Sequence, residues 1–237
     1  MNKIYVSLGG GELREKTTLS IDAYAAKLAK LHAGDKRAYG LFIGTASHDS
    51  MPYFNTFRKT YTGEFDIKAD CALTVYGEMN YEKIAGKFAK ADLVYIGGGD
   101  TVFMLGHWKT SGLYDLVIDA YNRGVVICGL SAGGICFFED MYTDSPSVCG
   151  DDKYRFHNGM GLIKGVCCPH LDDRINDFTK AFNESKFESA YASENDSALV
   201  FENGELKGAL SSGGKSYIVK KKDGKTIFTQ VTPLNEI

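Results

Sequence analysis

Short apolar runs alternate with amphipathic stretches through the first 135 residues of the chain. The runs at 3–8, 37–44, 93–96 and 125–128 are rich in β-branched and aromatic residues and read as buried strands. Another strand falls within 65–74. Between them, residues 20–32 carry Ile21, Tyr24, Ala25, Leu28 and Leu31 at helical period, with Ser20 as N-cap and Gly34 as stop. Further helices are predicted over 51–61, begun by Pro52, and over 81–90, 102–108 and 113–123. Regular alternation of strand and helix predicts a doubly wound α/β fold, a mainly parallel sheet with helices on both faces. Such sheets carry their sites beyond the carboxyl ends of the strands, so residues 9–11, 45–49, 97–101 and Ser131 are expected on one rim.

The pattern then changes. Residues 138–157 are polar and read as a long loop, 161–168 as a strand ending at Pro169-His170, and 174–182 as a helix with Ile175, Phe178 and Phe182 on one side. From residue 189 short strands dominate, separated by Glu202-Asn203-Gly204 and Lys222-Asp223-Gly224, which have hairpin chemistry. No linker or repeat interrupts the chain, so residues 1–237 are read as one α/β domain with short C-terminal β-hairpins.

A net charge of -3 gives no reason to expect nucleic acid or an anionic membrane as partner. No apolar run is long enough for a signal-peptide core or a membrane span. The six cysteines lack metal-ligand spacing, and several sit inside strand-like runs, which predicts reduced thiols and a cytoplasmic location.

Candidate chemistry enters at Val125–Gly134, where a β-branched run leads into Gly129-Leu130-Ser131-Ala132-Gly133. Gly-x-Ser-x-Gly after a strand is the sequence form of a nucleophile elbow, a sharp strand-to-helix turn that exposes the serine hydroxyl. The amides that open the following helix are suited to an oxyanion. A serine needs a base, and only His157 and His170 follow Ser131. His170 is preferred because it ends a strand at the same rim. His32 is read as a solvated helix-end residue, His48 as a rim-loop residue and His107 as structural. For the acid, Glu194, Asp144, Asp172, Asp173 and Asp196 all stay open on these grounds. A Ser–acid–His order would need an acid between Ser131 and His170, such as Asp144, and a Ser–His–Glu order matches Ser131, His170 and Glu194.

Four motifs in register, Gly97-Gly98-Gly99-Asp100-Thr101, the elbow, Cys168-Pro169-His170 and Ser193-Glu194-Asn195, resemble the dipeptidase E group of the cyanophycinase-related serine peptidases. The likeness runs from about residue 90 to 215. It implies a class I glutamine amidotransferase-like (flavodoxin-like) fold and a Ser131–His170–Glu194 triad. It also implies an oxyanion hole from the amides of Gly99 and Ala132. Members of that group remove an N-terminal aspartate from dipeptides or short peptides. On this resemblance, Thr143-Asp144 belongs to the substrate pocket, with Asp144 facing the substrate ammonium, and Arg174 is the nearest candidate to recognise an acidic side chain. Asp100 stands where the glycine-rich motif usually has asparagine, which puts an anionic side chain close to the substrate and the oxyanion. The mechanism calls for no metal or organic cofactor, and the expected partner is a small peptide, with the protein a monomer or homodimer. The alternatives are an α/β-hydrolase-type esterase or amidase using Asp144, and a non-catalytic small-ligand binder.

Overall fold

The computed structural model describes residues 2–76 and 79–234. The alternation predicted for the first half is present. In chain order it runs β1 (Ile4–Leu8), α1 (Leu19–Ala33), β2 (Tyr39–Ile43), a 3-10 turn (Thr45–Ser47), α2 (Met51–Gly63), β3 (Lys68–Ala72) and α3 (Tyr81–Phe88). There follow β4 (Leu93–Ile96), α4 (Thr101–Ser111), α5 (Leu113–Asn122), β5 (Val126–Leu130) and α6 (Ala132–Ile135). Strands β1 to β5 lie in the order β1-β5-β4-β2-β3, and every neighbouring pair among them is parallel.

Helices cover both faces because each strand is apolar on both sides. On one face Ile21 and Ala25 of α1 and Phe57 and Tyr61 of α2 pack on Val6, Phe42, Tyr95 and Cys128. On the other, Ile84 of α3, Trp108 of α4 and Val117 of α5 pack on Tyr5, Leu41, Val94 and Ile127. The N-cap of helix α1 lies two residues before the expected one: Thr18 occupies it, and Ser20 instead bonds Ser212. Gly34 ends the helix at φ 64°, as its residue type suggested.

The second half departs from expectation at residues 138–157. Instead of a long loop, these form β6 (Phe138–Thr143), α7 (Pro146–Cys149) and β7 (Arg155–Asn158). Phe138, Met141 and Tyr142 point inward along β6 while Glu139 is exposed, and β7 is an edge strand. Acidic outward positions on strands near an edge gave this stretch its loop-like composition. Then come β8 (Ile163–Cys168), α8 (Leu171–Glu184), β9 (Ser189–Ser193), β10 (Ser197–Glu202), β11 (Glu205–Ser211), β12 (Ser216–Lys222) and β13 (Lys225–Gln230).

Of the two C-terminal hairpins, β10–β11 extends the first sheet by pairing antiparallel to β1. The other, β12–β13, joins a second sheet of order β13-β12-β9-β8-β6-β7, against which α8 packs Phe178 and Phe182. A single cluster containing Tyr5, Leu199 and Phe201 of the first sheet and Phe138, Met141 and Cys167 of the second joins the two. All six cysteines are free and buried. No helix among the described residues is long and apolar enough to cross a membrane.

Candidate active site

Ser131 sits between β5 and α6 with φ 51° and ψ -106°, a strained backbone for a non-glycine residue. The turn closes only because its neighbours have no side chains. A Cβ on Gly129 would lie 1.9 Å from the Gly133 carbonyl oxygen, and one on Gly133 would lie 2.1 Å from that of Ile96. This is the elbow geometry that the motif predicted.

Three consecutive carbonyls at the end of β1 hold the rest of the site. Leu8 O accepts from Ser131 N–H (3.0 Å), Gly9 O from His170 N–H (3.0 Å) and Gly10 O from Asp196 N–H (3.1 Å). Segments following β5, β8 and β9 are thereby pinned to one five-residue strand and its glycine run. A Cβ on Gly10 would fall 2.3 Å from the His170 ring and 2.2 Å from the Asn195 amide, so the bare backbone forms the floor under both.

His170, in the left-handed region at φ 49° and ψ 45°, precedes α8 and directs Nε2 to within 2.8 Å of Ser131 Oγ. Its Nδ1 lies 2.7 Å from Asn195 Oδ1. The Asn195 Nδ2 donates to Asp172 (2.9 Å) and Asp173 (3.0 Å), and its backbone N–H also donates to Asp172 (2.9 Å). Those carboxylates fix which end of the amide faces the ring. An amide oxygen can only accept, so Nδ1 carries the proton and Nε2 is free to accept from the serine hydroxyl.

Glu194 does not reach His170. The expectation of a Glu194 contact is corrected by the end of β9, where Glu194 N–H still pairs with the Lys215 carbonyl (2.9 Å). Its carboxylate accepts from Lys215 N–H (2.9 Å) and Tyr217 O–H (2.9 Å). Burial and this bond to Glu194 push the Tyr217 phenol up to about 12. The next residue enters the turn to β10 and projects to the rim. Sequence reasoning quoted Asn195 only as part of a motif, because a neutral amide carries no titratable signal; its side-chain oxygen at strand-end spacing was the available clue.

The other expected residues fall as follows. Gly99 adopts φ 138° and lies against the 3-10 turn, where a Cβ would meet Ala46 O at 2.1 Å. Ala132 opens α6, and an amide at that position has no intrahelical acceptor. Asp100 is the N-cap of α4 and accepts from Phe103 N–H at 3.0 Å, so its carboxylate is engaged by the helix end and not held out for substrate alone. Thr143 is likewise corrected, since it is 1% exposed and its hydroxyl bonds Ser145 Oγ (2.9 Å) and Ser145 N–H (3.1 Å).

Arg174 and Asp144 do meet, at 3.4 Å. Arg174 is buried one turn into α8, its guanidinium 4.4 Å from the centre of the Tyr154 ring, while Asp144 is exposed. Among the described residues, Nε and Nη1 of Arg174 have no hydrogen-bond partner. Among the histidines outside the site, His32 is paired with Asp92 at 2.8 Å and not solvated as expected. His48 stacks on Phe103 and His107 bonds the Thr74 carbonyl. His157 lies on β7 next to Asn158.

A nucleophile elbow on a doubly wound sheet, with a histidine bonded to the serine, defines a serine hydrolase of α/β architecture. The model of Peptidase family S51 matches residues 6–208, and the chain belongs to that family; it is a serine-type peptidase. An uncharacterized peptidase of Bacillus subtilis, YgaJ, is 31% identical over 92% of both chains. An uncharacterized peptidase of Listeria innocua, Lin0382, is 26% identical over 56% of this chain and 64% of its own. Among solved structures, a peptidase from an acI-B1 actinobacterium superposes with TM-score 0.74 at 15% identity, covering 100% of this chain and 97% of its own. A putative peptidase E protein from Listeria monocytogenes gives 0.65 at 16% identity, covering 89% of this chain and 99% of its own. Both likenesses support the fold.

Proposed function

We propose that this peptidase hydrolyses short peptides from their amino terminus by acyl transfer, with Ser131, His170 and Asn195 as its catalytic set. The observation that carries the reading is the 2.8 Å approach of His170 Nε2 to the hydroxyl of a serine held at φ 51°. Ser131 Oγ attacks the scissile carbonyl carbon while Nε2 takes its proton. The N–H groups of Gly99 and Ala132 stabilise the oxyanion that forms. As the C–N bond breaks, His170 returns the proton to the leaving amine, and water then attacks the acyl-enzyme with His170 again as base. Asn195 orients the imidazole and is itself held by Asp172 and Asp173. Glu194, bonded to Lys215 and Tyr217, is a support of the sheet edge in this reading.

Arg174 and Asp144 support amino-terminal specificity. Two buried guanidinium nitrogens without hydrogen-bond acceptors among the described residues are costly unless a ligand accepts from them, and an acidic side chain is the complementary acceptor. Asp144 beside it offers a carboxylate to the substrate ammonium. An N-terminal aspartate satisfies both. Asp144 bonds Arg174, not His170, so the arrangement gives no support to an esterase that uses Asp144 as the triad acid. Free, buried thiols agree with a reducing, cytoplasmic setting.

Hydrolysis of a dipeptide and tripeptide library, followed by mass spectrometry, tests the proposal. Cleavage by the native protein that is confined to N-terminal Asp and absent from Ser131→Ala is expected. Turnover by Ser131→Ala overturns the mechanism, and serine-dependent cleavage without regard to the first residue overturns the Arg174–Asp144 reading.

A further inference from the structure

A cavity of about 620 Å³ opens beside the elbow on the α1–α2 face of the first sheet. The loop after β1 (Glu12, Leu13, Arg14), the start of α2 (Tyr53, Thr56) and the two residues nearest the nucleophile, Gly98 and Leu130, form its walls. A Cβ on Gly98 would stand 3.4 Å from Ser131 Cβ, so the cavity reaches the reacting serine. Tyr53 O–H accepts from Gly98 N–H at 3.3 Å at the inner end.

Its location relative to Asp144 and Arg174 sets its use. The Asp144 segment is tied to the start of α4 through Val102 N–H and Ser145 Oγ, 3.2 Å apart, and α4 packs on the opposite face of the sheet. A peptide whose amino end lies at Asp144 therefore crosses Ser131 and carries its leaving portion toward Tyr53. Arg14 and Thr56 also line a second groove of about 400 Å³, which Lys59 borders. The two spaces adjoin at these shared residues and make a track outward from the serine, with Arg14 common to both parts.

Its charges are ordered along the track. Glu12 lines only the first cavity, the inner part of the track, and Lys59 only the second. Lys16 is paired with Glu64 at 2.6 Å, whereas Arg14 and Lys59 have no ion pair among the described residues. When the scissile bond breaks, the leaving nitrogen becomes an ammonium close to Ser131, and the other end of the released fragment is a carboxylate. A carboxylate at the inner end and free cations farther out match that product.

We propose that this cavity is the leaving-group site of the peptidase and that Arg14 binds the free C-terminal carboxylate of the substrate. The inference rests on the peptidase reading above and adds a substrate class: short peptides with an unblocked carboxyl terminus.

The test compares matched peptides that end in a carboxylate or a carboxamide, on native protein and Arg14→Gln, alongside labelling of Ser131 by a small fluorophosphonate. The native protein is expected to favour the acid by about tenfold or more in kcat/KM, the worth of one charge-assisted bond. Arg14→Gln is expected to lower the acid to the level of the amide, leaving the amide rate and the labelling rate unchanged. Equal rates for acid and amide on the native protein, or an equal loss for both in the variant, overturn the assignment of Arg14 while labelling still upholds the nucleophile. Failure of the native protein to label at Ser131 overturns the peptidase chemistry itself, and the leaving-group site with it.

Discussion

At the scale of single residues, the proposed mechanism turns on Asn195, whose Oδ1 lies 2.7 Å from His170 Nδ1. An amide oriented by two carboxylates can hold the imidazole in one tautomer, as the Cys–His–Asn proteases show, but bears no charge of its own. The negative charge that balances the imidazolium sits one bond farther away, on Asp172 and Asp173 at the start of α8. Asn195→Ala is expected to lower kcat by roughly 10- to 1000-fold with little change in KM, and Glu194→Gln by less than about threefold. Equal losses in the two variants would return the orienting role to Glu194. Asn195→Asp alone crowds three carboxylates together and should also be slow. Combined with Asp172→Asn and Asp173→Asn it moves the charge onto His170, and activity should recover, which a purely structural role for the two aspartates does not predict. In the sequence the serine and histidine were legible, because a strand-to-turn pattern and a Pro-His at a strand end constrain geometry strongly. Glu194 against Asn195 was not, since adjacent residues at a strand end project to opposite sides and the exact end of β9 decided between them.

At the scale of elements, α1 carries an uncommon burden. Asp22 is fully buried between α1 and α2, where Thr18 (2.7 Å) and Tyr61 (2.8 Å) donate to it, and burial raises its carboxyl to about 6. The folded state holds this proton more tightly than the unfolded chain, in which the group titrates near 3.8. Its contribution to stability is therefore complete below about pH 4 and is lost as pH rises through 6, by about 3 kcal/mol at most. Asp22→Asn keeps a neutral, hydrogen-bonding group there and lacks that slope. Urea unfolding from pH 4 to 7.5 should show the variant gaining on the native protein as pH rises; a difference independent of pH would refute the assignment. Helix periodicity disclosed α1 itself, and only its cap shifted, because Thr18 and Ser20 are both competent cap residues. Strand β6 escaped notice for a different reason: inward apolar positions interrupted by Glu139-Asp140 resemble a loop until a partner strand is known.

On the scale of the molecule, two sheets of different composition share one apolar cluster. Their shared cluster runs from Tyr5, stacked on Phe137 at 4.3 Å, to Phe138 and Tyr191 of the second sheet. The one tryptophan, Trp108, is fully buried on the first sheet and donates to Thr45 at 3.0 Å. Its fluorescence reports the first sheet, and far-ultraviolet circular dichroism reports both. Coincident urea transitions by the two probes are expected, and a separate fluorescence transition would mean that the sheets unfold independently. Alternating strands and helices announced the first sheet in the sequence. The second was hidden because its order interleaves strands from distant parts of the chain, and short hairpin strands carry no sign of which sheet they will join.

The three carbonyls of Leu8, Gly9 and Gly10 have a consequence for synthesis. A ribosome makes these acceptors first, and their donors at Ser131, His170 and Asp196 emerge in that order, the last after more than three-quarters of the chain. Strand β1 also waits for β10, its antiparallel neighbour. The acceptors at the end of β1 thus wait for their donors, and this set of three bonds closes only once residue 196 has been made.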